Sequence, residues 1–205
     1  GGEQGAQHSQ ALHAWFAHVP GLRVVMPSTV ADARDLMIAS VLCKDPVMYI
    51  DDRWLYDQED NLPQVIEFDL ATQRPAISII GSDITIVGSG HASLLARQAA
   101  EQLGGKSISA EVIDVRVLNP FHAEEIVKSV KKTKNLLVID SGWTSGGFSA
   151  EIIAKVVEQL PVNCLNHPPT RIALPDAPAP TSRFLERDYY ISPDEIVKKV
   201  INLIK

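Results

Sequence analysis

Apolar and polar positions along the chain change period several times, and each change predicts an element. Between 9 and 19 the apolar residues Ala11, Leu12, Trp15, Phe16 and Val19 recur at three and four, the spacing of one helical face. An amphipathic helix is predicted there, with Ser9 as N-cap and Pro20-Gly21 as its stop. An apolar run at 22–26 predicts a strand, Pro27-Ser28-Thr29 a cap region, 31–42 a helix and 46–50 a second strand. From 51 to about 75 no period survives, which predicts a surface connection between domains.

A second alternation then begins. Strands are predicted at 84–87, 111–115, 136–140 and 162–165, separated by helices at 91–103, 123–132 and 148–160. Strands joined through helices require crossovers, so this half is expected to be α/β, a mostly parallel sheet covered by helices. Pro161, Pro168, Pro169, Pro175, Pro178, Pro180 and Pro193 predict an extended, helix-free strap, because proline lacks the amide hydrogen a helix interior needs. A last helix at 193–204 carries Ile196, Val197, Val200, Ile201 and Ile204 on one face, with Ser192 as its cap. No internal repeat or low-complexity tract interrupts the pattern.

Composition narrows the function classes. With 45% hydrophobic and 21% charged residues over 205 positions, the chain is globular and not disordered. A net charge of -6 speaks against a nucleic-acid groove or an anionic membrane as the main partner, since both need a dense positive field. The one basic knot, Lys131, Lys132 and Lys134, reads as a solvated helix end. Cys43 and Cys164 have no metal-site spacing and are expected as buried thiols in a reducing compartment. No apolar run approaches membrane-spanning length, so a cytoplasmic protein is expected. The chain starts at Gly1 without a methionine and is expected to be a piece of something longer.

Three histidines, His8, His13 and His18, stand five residues apart. Five steps of 100° leave them about 140° apart around a helix, so they do not converge on a metal. His13 reads as a surface residue and His18 as a helix-terminal one that complements the C-terminal dipole. His8 precedes the expected N-cap, where free amides and the positive end of the helix dipole favour a ligand carboxylate or phosphate.

Two glycine turns join strand to helix. "VGSGHAS" (87–93) lies where a dinucleotide-binding protein cradles pyrophosphate, but Ser93 replaces the third glycine, and Asp114 on the next strand is too close to Arg116 to decide the matter. "DSGWTSGGFSAE" (140–151) is explained by close strand-to-helix packing. Ser141 and Ser145 lack the frame of a nucleophile elbow, and Asp51-Asp52 reads as a turn cap more than as an acid and base pair.

The stretches "QHSQALHAWFAHVPGLRVVMPST" (7–29), "DPVMYIDDRWLY" (45–56), "AEVIDVRVLNPF" (110–121), "VKKTKNLLVIDSGWTSGGFSAEI" (130–152) and "PDAPAPTSRFLERDYYISPDEIV" (175–197) together resemble the β subunit of thiamine-diphosphate-dependent 2-oxoacid dehydrogenases, whose members act on pyruvate, branched-chain 2-oxo acids and acetoin. The resemblance implies a transketolase-like architecture: the last part of a pyrimidine-binding domain at 1–58, a linker at 59–75 and a transketolase C-terminal domain at 76–205. It implies oxidative decarboxylation of a small 2-oxo acid with acyl transfer to a lipoyl-acyltransferase core.

In such enzymes an α subunit holds the diphosphate and Mg²⁺, and the assembly is an α2β2 heterotetramer. The histidine of the family's "HSQ" falls on His8, which is thereby expected to be the catalytic residue. No cofactor-binding residue and no metal ligand is expected in this chain: the family's catalytic glutamate lies upstream, and its Mg²⁺-diphosphate motif lies on the partner. The chain alone is therefore expected to be inactive. A potassium site is not assigned, because Cys43 stands where an acidic residue is usual.

The acidic residues Asp176, Glu186, Asp188, Asp194 and Glu195 near the tail suit either a basic acyltransferase surface or a solvated edge. Two other functions stay in view. One is ketol transfer, as in a split transketolase or a deoxyxylulose-phosphate synthase, which would want clustered Arg and His for sugar phosphates; the other is a non-catalytic dimerisation or docking module.

Overall fold

A computed structural model, describing residues 2–204, arranges the chain around two sheets. The first half supplies α1 (Gly5–His8), α2 (His13–Ala17), β1 (Arg23–Val25), α3 (Val30–Leu42), β2 (Val47–Tyr49) and a 3-10 turn at Arg53–Leu55. Thr29 caps α3 as its position suggests, its hydroxyl accepting the Asp32 amide at 3.1 Å. The helix expected over 9–19 is reduced to the five residues of α2, whose first bonds run from the Trp15 and Phe16 amides to the Leu12 carbonyl.

The second half begins with β3 (Ala76–Ile79), which the sequence pattern does not announce, and continues through β4 (Ile84–Gly88), α4 (His91–Gly104), β5 (Ala110–Asp114), β6 (Val117–Asn119), α5 (Glu124–Thr133), β7 (Leu136–Trp143) and α6 (Phe148–Val157). The five-stranded sheet has the order β3-β5-β4-β7-β8, where β8 is Thr170–Leu174. Its β4, β5, β7 and β8 pair in parallel and only β3 runs antiparallel, at the edge. Every residue of β4 and β5 is buried, as strands covered on both faces require. Ile84 and Ile86 face α4 and the final helix α8 (Pro193–Ile204), packing with Ala96, Leu103, Ile196 and Val200. Val87 faces the other layer with Ile126, Val138, Phe148 and Ile152. Thr85 also points that way, and its buried hydroxyl is bonded to Ser129 and Thr133 of α5 at 2.6 and 2.7 Å.

Two expectations about the tail fail. The apolar run at 162–165 is not a strand; Val162 is 91% exposed, and the last strand is β8, held between Pro168-Pro169 and Pro175. The proline-rich strap is not helix-free either. Between Pro180 and Pro193 no proline occurs, and α7 (Arg183–Tyr189) forms in that interval. Ser192 caps α8 as expected, accepting the Glu195 amide at 3.2 Å.

The two halves share a sheet. β6 leaves the second half and pairs antiparallel with β1, completing a three-stranded sheet of order β2-β1-β6. The connection from 56 to 75 contains no regular element, yet it is fixed: Leu70 is buried with Val25, Leu36, Ala39 and Val117, and Arg34 and Arg116 donate to the Pro63 and Arg74 carbonyls at 2.7 and 2.9 Å. Cys43 and Cys164, expected to be buried, are both half-buried and unpaired. Among the described residues no helix is long and apolar enough to cross a membrane.

Candidate active site

His8 ends α1 and is exposed; its ring makes no hydrogen bond to another described residue. The expected N-cap role of Ser9 is not found, because Ser9 follows α1 as its C-cap and no helix begins there. His8 therefore does not sit at the positive end of a long helix. What fixes α1 is contact with both halves of the chain. The Glu3 amide donates to Glu186 Oε1 of α7 at 3.0 Å, and Arg53 Nη1 donates to Gln4 Oε1 at 3.1 Å. Gly5 has φ +68°, and a Cβ there would meet Thr181 Cγ2 at 2.6 Å, so only glycine fits this approach without strain. Glu186, thus buried and engaged, is not part of a solvated acidic face.

Beside α1 the 3-10 turn presents Trp54. Asp52 caps that turn, accepting the Trp54 amide at 3.0 Å, and Asp51 accepts the Tyr56 hydroxyl, so both carboxylates are turn-building residues. The Trp54 indole stacks on the His91 ring at 5.7 Å and meets Tyr190 edge-on at 6.2 Å. Burial pulls the His91 pKa down, against the opposing charge of Asp52. Ser9 lies beside the Tyr190 hydroxyl, which brings the residue after His8 to this aromatic group. A cleft of about 530 Å³ opens here, lined by Glu3, Trp54, Arg183, Glu186, Arg187 and Tyr190; His8 is near it in sequence but is not in its wall. The sequence alone did not single out Trp54, His91 or Tyr190, because their meeting depends on three separate elements.

The larger surprise is His13. It is 1% exposed, not a surface residue, and its Nε2 is hydrogen-bonded to Asp140 Oδ1 at 2.8 Å. The same carboxylate accepts the Gly142 amide at 2.8 Å and the Ser149 amide, in the first turn of α6, at 2.7 Å. Burial pushes the Asp140 pKa up, but the His13 hydrogen bond and charge, with the two amides, outweigh it and hold the carboxyl below its ordinary value. The glycines of this turn are structural: a Cβ on Gly142 would lie 3.1 Å from His13 Cε1, and one on Gly147 only 2.2 Å from the Trp143 carbonyl oxygen. His18, by contrast, is the exposed C-cap of α2. The three histidines are thus brought to three different environments.

The "GSG" turn is closed from outside. A Cβ on Gly90 would meet Met26 Cε at 3.0 Å, and the Ser89 hydroxyl lies 3.9 Å from the Met26 sulfur. Met26, from the first half of the chain, thus packs directly on this turn. Asp114 is occupied too, accepting the Ser28 hydroxyl, while Arg97 donates to Ser28 Oγ and its carbonyl at 3.0 Å each. Among the described residues no group of three or more His, Cys, Asp or Glu side chains is arranged to hold a metal.

Comparisons with known proteins agree with this architecture. Residues 76–196 match the family "Transketolase, C-terminal domain" and residues 1–58 match "Transketolase, pyrimidine binding domain". The chain is 36% identical to the pyruvate dehydrogenase E1 component subunit beta of Rhizobium meliloti, over 89% of this chain and 39% of that protein. It is 37% identical to the mitochondrial counterpart of Dictyostelium discoideum, over 94% of this chain and 55% of that one. To the acetoin:2,6-dichlorophenolindophenol oxidoreductase subunit beta of Bacillus subtilis it is 34% identical, over 97% and 58%. The chain spans about half the length of the curated relatives it matches. Among solved structures, a split-gene transketolase described as an inactive beta4 tetramer superposes with a TM-score of 0.80 at 23% identity, covering 97% of this chain and 63% of that one. A transketolase from Pichia stipitis gives 0.67 at 17% identity, over 99% and 28%. These last two likenesses bear on the fold.

Proposed function

We propose that this chain, which belongs to the transketolase family, is the β-subunit portion of a 2-oxoacid dehydrogenase and serves the oxidative decarboxylation of a small 2-oxo acid with acyl transfer to a lipoyl-acyltransferase core. The observation that carries the reading is similarity of 34–37% running through both halves of the chain to subunits of pyruvate and acetoin enzymes. The partners that follow are an α subunit, a second β subunit and the acyltransferase core. A cytoplasmic setting goes with this reading; the two unpaired cysteines fit a reducing compartment.

Enzymes of this type depend on thiamine diphosphate. The described residues do not by themselves fit that group: no acidic cluster is placed for Mg²⁺, and the one phosphate-loop-like turn is closed by Met26. Cofactor and Mg²⁺ are assigned to the assembled enzyme. The chain's own contribution is His8. Exposed at the end of α1 with an uncommitted ring, it can orient a 2-oxo acid and donate a hydrogen bond or proton where negative charge develops. A donor so placed contributes roughly 2.7–4 kcal/mol to the transition state.

The test is cofactor-dependent decarboxylation of a panel of 2-oxo acids by the full-length gene product, co-expressed with its α partner, beside His8→Ala. A loss of about a hundredfold or more in the variant is expected. Near-normal turnover would remove His8 from the site. Activity only on sugar phosphates would turn the reading to ketol transfer, and failure to bind the cofactor would leave a docking module.

A further inference from the structure

We infer that His13 is a positioning residue: its buried bond to Asp140 sets where the His8-bearing segment lies, so that His13 acts on the reaction through His8. The inference rests on the proposed role of His8. Between His8 and His13, residues 9–12 form no regular element, and α2 is five residues long, too short to hold itself together in water. The segment therefore takes its position from its anchors. On the outer side these are the Glu3 and Gln4 bonds to Glu186 and Arg53, made at the surface or half-buried, and the contact of Ser9 with the Tyr190 hydroxyl. On the inner side Ala14, Phe16 and Ala17 pack on the core, Asn119 donates to the Ala17 carbonyl at 3.1 Å, and the start of α2 is held by His13, with Asp140, at 1% and 4% exposure.

The anchor is built for an imidazole. Asp140 is itself fixed by two backbone amides, one of them in the first turn of α6, so the acceptor cannot follow His13 if that side chain moves. Gly142 lies close against the pair, since a Cβ there would approach both His13 Cε1 and Asp140 Oδ1 to 3.1 Å. His13 Nδ1 is buried without a partner among the described residues, which makes this residue a poorer filler than an apolar side chain of similar size. A side chain kept only to fill space would not carry that penalty. A carboxylate 127 residues away in sequence thus holds the start of α2, and only the four residues 9–12 separate α2 from His8.

The experiment compares His8→Ala, His13→Ala, His13→Gln and the double variant His8→Ala/His13→Ala in the assembled full-length enzyme, reading kcat and KM for the preferred 2-oxo acid. His13→Ala is expected to lower kcat by about 10- to 100-fold with KM within about twofold, the signature of a displaced catalytic group. His13→Gln, whose amide can still donate to Asp140, is expected to recover most of that loss. In the His8→Ala background, removing His13 is expected to lower kcat no further. If the double variant multiplies the two losses, or if His13→Ala leaves kcat unchanged while His8→Ala collapses it, the positioning role is overturned and the proposed function stands. Normal turnover in His8→Ala overturns the reading of His8 itself. Should His13→Ala fail to assemble, Gly142→Ala, which crowds the imidazole by one methyl group, replaces it in the same comparison.

Discussion

Ser28 and Asp114 join the two halves of the chain by a hydroxyl-to-carboxylate hydrogen bond in which both side chains are buried. Asp114 Oδ1 has no partner among the described residues, and burial, the largest influence, pushes the Asp114 pKa up to about 7; Asp32 raises it further, while Ser28, Arg116 and Arg97 oppose. An acid whose pKa rises on folding binds its proton more tightly when folded. Its contribution to stability is whole below the unfolded value of about 3.9 and is lost as pH rises toward 7. Urea unfolding of the natural chain should therefore show stability declining between about pH 4 and 7 by up to a few kcal/mol relative to Asp114→Asn, whose side chain does not titrate. Parallel pH profiles for the two proteins would show that the Asp114 pKa is the same in the folded and unfolded chain.

Asp140 behaves with the opposite sign. Its pKa is lowered in the fold, so its contribution is present above the unfolded value and is lost in acid. Asp140→Ala strands the His13 Nε2 and the amides of Gly142 and Ser149. A loss of about 3 kcal/mol or more at pH 7 is expected, read as a lowered urea midpoint at unchanged slope.

Two glycines should respond in opposite directions to one methyl group. Gly147→Ala places a Cβ 2.2 Å from the Trp143 carbonyl oxygen and 2.9 Å from Asp140 Oδ2, so a loss of about 1–3 kcal/mol is expected. Gly104, the last residue of α4, has nothing within 4 Å of an added Cβ. Gly104→Ala should gain about 0.4–1 kcal/mol by restricting the unfolded chain. Thermal melts of the two variants beside the natural chain check both.

Met26 is the plug over the Gly90 turn and is 4% exposed. Met26→Ala should lose about 2–5 kcal/mol and Met26→Leu less than about 1.5, since the second keeps most of the volume. Dinucleotide binding gained in Met26→Ala, measured by calorimetry, would show that the turn is a ligand site held closed; none is expected.

The alternation from 84 to 157 was legible, except for β6, which the pattern missed, because β4, β5 and most of β7 are buried on both faces. Ile84 to Gly88 and Ala110 to Asp114 are buried throughout, so their apolar runs carry the signal without interference. The edge is different. Ala76–Ile79 has two exposed residues, and β8 hides among prolines, while the apolar run at 162 looked like the better strand and is exposed. His13 was illegible for another reason. Local pattern places it on a helix with Trp15, which is 72% exposed, and nothing within ten residues announces a carboxylate 127 positions away. Likewise Trp54, His91 and Tyr190 come from three elements whose meeting only the folded chain defines. His8 was singled out by resemblance; its surroundings, a helix end in place of a helix start, were not.

The strand β6 lies in the sheet of the first half although its neighbours in sequence build the second. A boundary drawn in the connection between 58 and 76 is therefore a boundary of the polypeptide and not of the molecule. A nick there would sever one covalent thread and leave the seam of β1 against β6 stitched, so the two pieces should travel together through a sizing column. Either piece made alone would carry an unhemmed edge: one lacking its third strand, the other holding out a strand with nothing to lie against.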